Sequence, residues 1–169
     1  MANRNDSFGD TLLPHIDAAY NLARWLVRDV SDAEDVVQES YVRALKYGDT
    51  FAGGDIKSWM LRIVRNTCYT FLTKNRGWTE FDELEHGGTF DDAEEVSIAR
   101  LDAERLSTLL MQLPTEYREV LILREIEDLS YREISQIADV PVGTVMSRIA
   151  RARKRLRAAA TEQIGAERS

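Results

Sequence analysis

The chain has 169 residues, 44% of them hydrophobic and 30% charged, which is enough for one ordinary domain or two small ones and too apolar for a disordered tail. One cysteine, Cys68, excludes an internal disulfide framework, and two histidines without ligand spacing, His15 and His86, argue against a zinc site. The formal net charge of −7 argues against a protein that coats nucleic acid indiscriminately.

No apolar run approaches the roughly twenty residues that span a bilayer, so no membrane insertion is expected. The opening MANRNDSFGD has no apolar signal core, which points to a cytoplasmic setting. The charge is unevenly spread. Residues 1–75 carry nine basic and ten acidic side chains, residues 76–100 two and eight, and residues 101–169 eleven of each. Within the last part, 148–157 holds Arg148, Arg151, Arg153, Lys154, Arg155 and Arg157 without one acid.

In chain order, Leu12, Ile16, Ala19, Tyr20, Ala23 and Val27 form a stripe at helical spacing. Ser31 and Glu34 have the form of a capping box that opens a second helix, with Ala33, Val36, Val37, Ser40, Tyr41, Ala44 and Leu45 inward. Phe51-Ala-Gly-Gly-Asp55 reads as a turn with Asp55 as N-cap. The third helix buries Ile56, Trp59, Met60, Ile63, Val64, Thr67 and Phe71, with Cys68 as a small core thiol near that stripe.

From about Asn75 to Val96 the pattern fails and the composition is that of an acidic linker. Periodicity resumes with Ile98, Leu101, Leu106, Leu109 and Leu110. Leu113-Pro114-Thr115 ends one helix and caps the next, which carries Val120, Leu121, Leu123 and Ile126. A second capping box, Ser130 to Glu133, starts a short helix with Ile134, Ile137 and Ala138 inward. Asp139-Val140-Pro141 makes a turn, and the last helix presents Val145, Ile149, Ala152 and Leu156 inward. No β-type alternation persists. The expected fold is all-α, in two small helical domains joined by a flexible acidic linker.

Three surfaces could carry function. Residues 130–157 have helix-turn-helix form. With Val145 inward, a hundred-degree step per residue turns Thr144, Ser147, Arg151 and Lys154 outward, flanked by Arg148 and Arg155. The first turn would meet bases and the later cations phosphates, although a solvated basic helix has the same pattern. On the helix from Asp55, the outer face carries Ser58, Arg62, Arg65 and Tyr69, with Asn66 at the edge and Lys57 near the start. Cations mixed with an aromatic suit a nucleic-acid strand, and equally an ordinary solvated face. Asp32, Asp35 and Glu39, with Gln38 beside them, line one side of the second helix. They read as a metal or acid–base cluster, a solvated face or a docking face, and no converging ligand favours the first. No glycine-rich phosphate motif or activated nucleophile supports an enzyme, and no cofactor is implied. A free-standing helix-turn-helix regulator and a metal-dependent hydrolase stand as rival readings.

DAEDVVQESYVRALKY (32–47) and IKSWMLRIVRNTCYTFL (56–72) resemble conserved region 2 of bacterial RNA polymerase sigma factors. LPTEYREVLILREIEDLSYREISQIADVPVGTVMSRIARARKRL (113–156) resembles region 4. The order and short linker are those of the extracytoplasmic-function, or group IV, class. The resemblance implies a non-enzymatic subunit that directs core RNA polymerase to promoters, with residues 10–75 as region 2, 76–97 as linker and 98–160 as region 4. It implies that Asp32, Asp35, Gln38 and Glu39 dock on core polymerase. It assigns Lys57, Ser58, Trp59, Arg62, Arg65 and Asn66, with the loop at 51–57, to recognising and melting the −10 element. It assigns Thr144, Ser147, Arg148, Arg151 and Lys154 to the −35 element of promoter DNA, and adds an anti-sigma factor as partner. Met146 stands where the family often has Lys or Arg, and only an apolar contact, such as one to a thymine methyl, is open to it.

Overall fold

The computed structural model describes residues 4–86 and 101–168. Among them there is no strand; every regular element is helical. The first bundle comprises α1 (Arg4–Leu12), α2 (Ile16–Val27), α3 (Val30–Lys46) and α4 (Ile56–Arg76), and a short α5 (Glu83–His86) follows. The second comprises α6 (Ala103–Gln112), α7 (Thr115–Leu121, continued as a π-helical turn over Ile122–Ile126), α8 (Tyr131–Ala138) and α9 (Val142–Arg168). The expected start of periodicity at Ile98 and the acids Asp91, Asp92, Glu94 and Glu95 lie outside the described residues.

Helices α2, α3 and α4 pack mutually, burying Ala19, Ala23, Ala33, Val36, Met60 and Val64. Their stripes are the ones periodicity predicts. The start of α3 differs. Its N-cap is Asp29, in extended conformation, whose side chain accepts the Asp32 amide, and Ser31 already lies inside the helix. A carboxylate at the N-cap satisfies a free amide and meets the positive helix end together, which a serine two residues later cannot do. Helix α1, which begins before the predicted domain boundary, lies close on α3. A Cβ at Gly9 would stand 2.8 Å from the Tyr41 hydroxyl, and one at Gly48 would stand 2.8 Å from the Phe8 ring. Phe8 then meets Trp59 edge-on at 5.7 Å, and Phe51 lies 5.4 Å from the same indole. This aromatic trio fixes the 51–55 loop against the start of α4.

In the second bundle the Ser130–Glu133 capping box is present in both directions. Asp139 ends α8 in the left-handed conformation (φ 55°), and α9 leaves the turn with Val145, Ile149, Ala152 and Leu156 buried. Pro114, in extended conformation, breaks α6 from α7 with no side-chain cap, so Thr115 does not perform the capping expected of it. Helix α7 is buried on every side from Glu116 to Leu121. Such a helix is the centre of a structure and not its rim.

The reason is that the two bundles share a seam. Helix α2 packs on α7 and α4 packs on α8. Arg118, 1% exposed, reaches from α7 into the last turn of α2, where Nε donates to the Trp25 carbonyl at 2.5 Å. Its Nη1 donates to the carbonyls of Leu113 (3.0 Å) and Met111 (3.3 Å). The carbonyls of a last helical turn lack partners of their own, and a guanidinium is the donor that can satisfy several at once. Burial, with the charge of Arg28 adding to it, lowers the Arg118 pKa to about 10, so the group stays charged at neutral pH.

The segment after α4 also joins the seam. Gly77, in left-handed conformation (φ 66°), ends α4, and the chain then turns Trp78 onto Tyr69, edge to face at 4.9 Å. The indole Nε1 donates to Glu116 at 2.9 Å. Phe81 packs edge-on against Tyr117 at 5.3 Å. The linker expected from Asn75 onward therefore begins as packed structure, because its aromatics bury apolar surface that its acids would otherwise keep in water.

Two expectations follow. Asp29→Ala should cost about 1 kcal/mol of stability, the usual worth of an N-cap, while Ser31→Ala stays within about 0.5 kcal/mol, both read by urea denaturation. Burial raises the pKa of Glu116 above the ordinary carboxylate range, with the nearby Glu119 charge adding to it. The folded state therefore binds this proton more tightly than the unfolded chain, and stability falls as pH rises through the raised value. Glu116→Gln, which can still accept from Trp78, should raise the melting temperature at pH 7. The gain should shrink as the pH approaches about 4, where both states of the wild type hold the proton.

Candidate nucleic-acid interface

The acidic side of α3 is open. Asp35, Gln38 and Glu39 are exposed, Glu39 pairs with Arg43 one turn on at 2.7 Å, and Asp32 is half-buried 3.4 Å from Arg76. Val42, 63% exposed, extends the same stripe, giving an apolar contact beside carboxylates. Among the described residues, no group of three or more His, Cys, Asp or Glu is placed to hold a metal ion. This face has the composition of a protein-docking surface.

The predicted outer face of α4 is not open. Ser58 is 5% exposed and donates to Asp55 at 2.6 Å, with Glu133 of α8 at 3.4 Å from its oxygen. That hydrogen bond holds the Asp55 carboxyl below its usual range. Tyr69, expected outside, is 6% exposed and donates to Glu119 of α7 at 2.9 Å. Arg65 Nε donates to the other oxygen of the same carboxylate at 2.7 Å, while its guanidinium lies 3.9 Å over the Tyr69 ring. Burial and the Glu119 charge push the Tyr69 hydroxyl well above its ordinary pKa, so it remains the donor. Lys57 meets Glu127 at 3.1 Å, and Arg62 lies 3.9 Å from Asp139. Asn66 is exposed, and Trp59 is partly buried in its aromatic trio. The physical reason for the difference is that α4 packs on α8 as well as on the first bundle, and it carries a second buried apolar stripe, Leu61, Cys68 and Leu72. Burial pushes the Cys68 thiol up and out of reactive range, as a core thiol requires.

Helix α9 keeps the helix-turn-helix face with one exception. Thr144, Ser147, Arg151 and Lys154 lie partly exposed along its length, and Met146 stands 51% exposed. Ser147 donates back to the Thr144 carbonyl at 3.1 Å. Arg148, expected at the edge of the outer face, is 7% exposed. Its Nε donates to Glu83 at 2.6 Å and its guanidinium lies 5.1 Å from the Phe81 ring. Arg151 reaches the second oxygen of Glu83 at 3.7 Å. Arg148 points inward because the packed start of the linker offers it both an acid and a ring. Sequence reasoning missed Glu83, Glu116 and Glu119; the signal available was the run of aromatics, Trp78 and Phe81, inside an acidic stretch.

No described helix is long and apolar enough to cross a membrane. The family model for Sigma-70 region 2 matches residues 13–78, and that for Sigma-70, region 4 matches residues 103–156. The ECF RNA polymerase sigma factor SigW of Bacillus subtilis is 30% identical over 166 residues, covering 90% of this chain and 88% of the relative. The ECF RNA polymerase sigma-E factor of Escherichia coli K12 is 34% identical over 135 residues, 73% of this chain and 71% of the relative. Among solved structures, the sigma factor RpoE of Bartonella quintana, in complex with the anti-sigma factor NepR, superposes with a TM-score of 0.69 at 28% identity, covering 89% of this chain and 94% of that one. CnrH, in complex with the cytosolic domain of CnrY, also reaches 0.69, at 27% identity over 95% of this chain and 91% of that one. With a basic helix-turn-helix, an exposed acidic helix and relatives that match across both bundles, the chain belongs to the ECF RNA polymerase sigma factors, the subunits that give core polymerase its promoter specificity.

Proposed function

We propose a division of this function among three stretches: 10–75 as the polymerase-docking and −10 unit, 76–97 as linker, and 98–160 as the −35 unit. The observation that carries the reading is the α8–α9 arrangement. A capped short helix, a left-handed Asp139 and a 27-residue helix α9 together present Thr144, Met146, Ser147, Arg151 and Lys154 along one solvent-facing side. A helix of this kind fits the major groove with its first turn toward base edges and its later cations toward phosphates. Met146 gives that first turn an apolar contact suited to a thymine methyl. Arg148, the fifth residue assigned to the −35 element, reaches DNA only by leaving its contacts with Glu83 and Phe81.

Asp32, Asp35, Gln38 and Glu39 dock the subunit on a basic surface of core polymerase. Lys57, Ser58, Arg62 and Arg65 hold the strand's phosphates at the −10 element, Asn66 reads a base edge, and Trp59 supports the loop at 51–57 from beneath. The subunit acts in the cytoplasm without catalysing a reaction of its own. Because the structural neighbour RpoE of Bartonella quintana was solved in complex with the anti-sigma factor NepR, an anti-sigma factor is the expected third partner. Run-off transcription with purified core polymerase on genomic fragments tests the whole reading.

Asp35→Arg reverses a charge on an exposed residue, so the fold should stand while like charges oppose each other at the docking surface. A pull-down with core enzyme should lose the variant with its circular dichroism unchanged. An unchanged pull-down would remove the docking role from this face.

Asn66→Ala should leave polymerase assembly and −35 binding intact and block opening of duplex promoters. Unstacking a base costs a few kcal/mol, which a hydrogen-bonding pocket offsets. A promoter with a pre-melted −10 bubble should recover part of the activity, read by permanganate footprinting of unpaired thymines. Normal melting by the variant would place strand capture elsewhere on the first bundle.

A further inference from the structure

We propose that α9 reads the −35 element through the methyl groups of thymines, by an exposed apolar strip of Val142, Met146 and Ala150. The proposal deepens the assignment of α9 to that element and rests on it.

The strip is defined by what is open to solvent. Between 141 and 150 the exposed residues are Pro141, Val142, Gly143, Met146 and Ala150, and none has a polar side-chain atom. Val142 is 39% exposed and Met146 51%. A single apolar side chain in water needs no explanation, whereas a contiguous set on the outward side of a basic helix does. Val142, Met146 and Ala150 follow one another at i, i+4 and i+8 and so form a row along α9. The next member of the row is the partly exposed Lys154.

Polar readers are few in the same turns. Residues 142–151 include no Asn or Gln, the side chains that pair bidentately with adenine. Arg148 and Arg151, the guanine readers, both face Glu83. Ser147 donates its hydroxyl proton to the Thr144 carbonyl and keeps only lone pairs for a base. What the row can recognise is an apolar group on a base edge. The major groove of B-DNA has one, the C5-methyl of thymine. An apolar row that runs into Lys154, with Arg151 beside it, suits bases on a groove floor and phosphates on its wall better than an apolar protein surface.

Gly143 is an independent observation. A Cβ on it would meet nothing within 4 Å, and its φ is not positive, so neither packing nor backbone conformation requires glycine there. Glycine weakens a helix relative to alanine, and here the fold gains nothing in return. The missing side chain instead lets the first turn of α9 approach a partner closely. That approach brings Val142 and Met146 within van der Waals reach of a methyl group on the groove floor.

The test uses the full chain assembled with core polymerase. Its probe is a promoter fragment recovered by run-off transcription, made once with thymine and once with deoxyuridine at every A·T pair of the −35 element. Deoxyuridine keeps the base pair and lacks only the methyl. Affinity, read by anisotropy at fixed salt, should fall roughly fourfold for each methyl the strip covers, the worth of one buried methylene. Met146→Ala should lose affinity for the thymine duplex and bind the deoxyuridine duplex as wild type does, because that contact is already gone. Gly143→Ala should melt no lower than wild type and bind both duplexes more weakly. Affinity that depends on the −35 sequence but is equal for thymine and deoxyuridine overturns the methyl reading and leaves α9 on DNA. Affinity indifferent to a scrambled −35 element overturns the assignment of α9, and this proposal with it. A Met146→Ala subunit that fails to assemble with core polymerase makes the strip a protein interface and likewise overturns the proposal. Unchanged affinity of Gly143→Ala overturns the close approach.

Discussion

A single buried carboxylate organises the relation between the two halves of this chain. Glu119 sits at the centre of α7 with no exposed side-chain surface, and its two oxygens are taken by Arg65 and Tyr69 of α4. Desolvating a carboxylate costs several kcal/mol unless every lone pair in use finds a good donor. The site meets that demand with a guanidinium and a phenol from the same helix, one turn apart. Arg118 on the neighbouring position makes the converse arrangement, a buried cation satisfied by carbonyls of both bundles. The seam is thus defined by geometry that only one relative placement of the bundles satisfies, while Trp78, Leu72 and Leu26 supply the apolar area around it.

How far the sequence disclosed this follows from what periodicity can report. Each bundle has its own one-sided stripe, so Ala33, Val36, Met60, Ile134, Val145 and Ile149 announce themselves as core at helical spacing, and all are buried. The helix-turn-helix is legible because its punctuation is chemical: Ser130 and Glu133 at one end, Asp139 and Pro141 at the other. The exposed acidic side of α3 was legible as well, since the helix has a single buried side and its acids lie opposite. The candidate DNA face of α4 was not. Arg65, Ser58 and Tyr69 have the polarity of a solvated face, and nothing in a local window shows that acids fifty to seventy-five residues later will neutralise it. Leu61, Cys68 and Leu72, spaced seven and four residues apart on that side, were the one local trace. A helix with two apolar stripes has two neighbours to satisfy.

The charge balance also acquires a location. The second bundle carries eleven acids against eleven bases, which from composition alone is an unremarkable tie. In space the two signs divide. Seven of the bases lie on α9, while Glu119, Glu127, Glu133 and Asp139 turn toward α4. Region 4 therefore presents one charge along α9 and the opposite charge to α4. The net −7 adds long-range repulsion of phosphate, which weakens with salt, whereas the buried Arg65–Glu119 pair is poorly screened.

A promoter-specificity subunit faces a thermodynamic conflict that this division addresses. Strong separate sites for two DNA elements would let the subunit bind anywhere along a genome of competing phosphates, whereas weak sites must still suffice once polymerase is present. Tethering both sites to one large enzyme raises the effective concentration of each toward its element, so neither needs high intrinsic affinity.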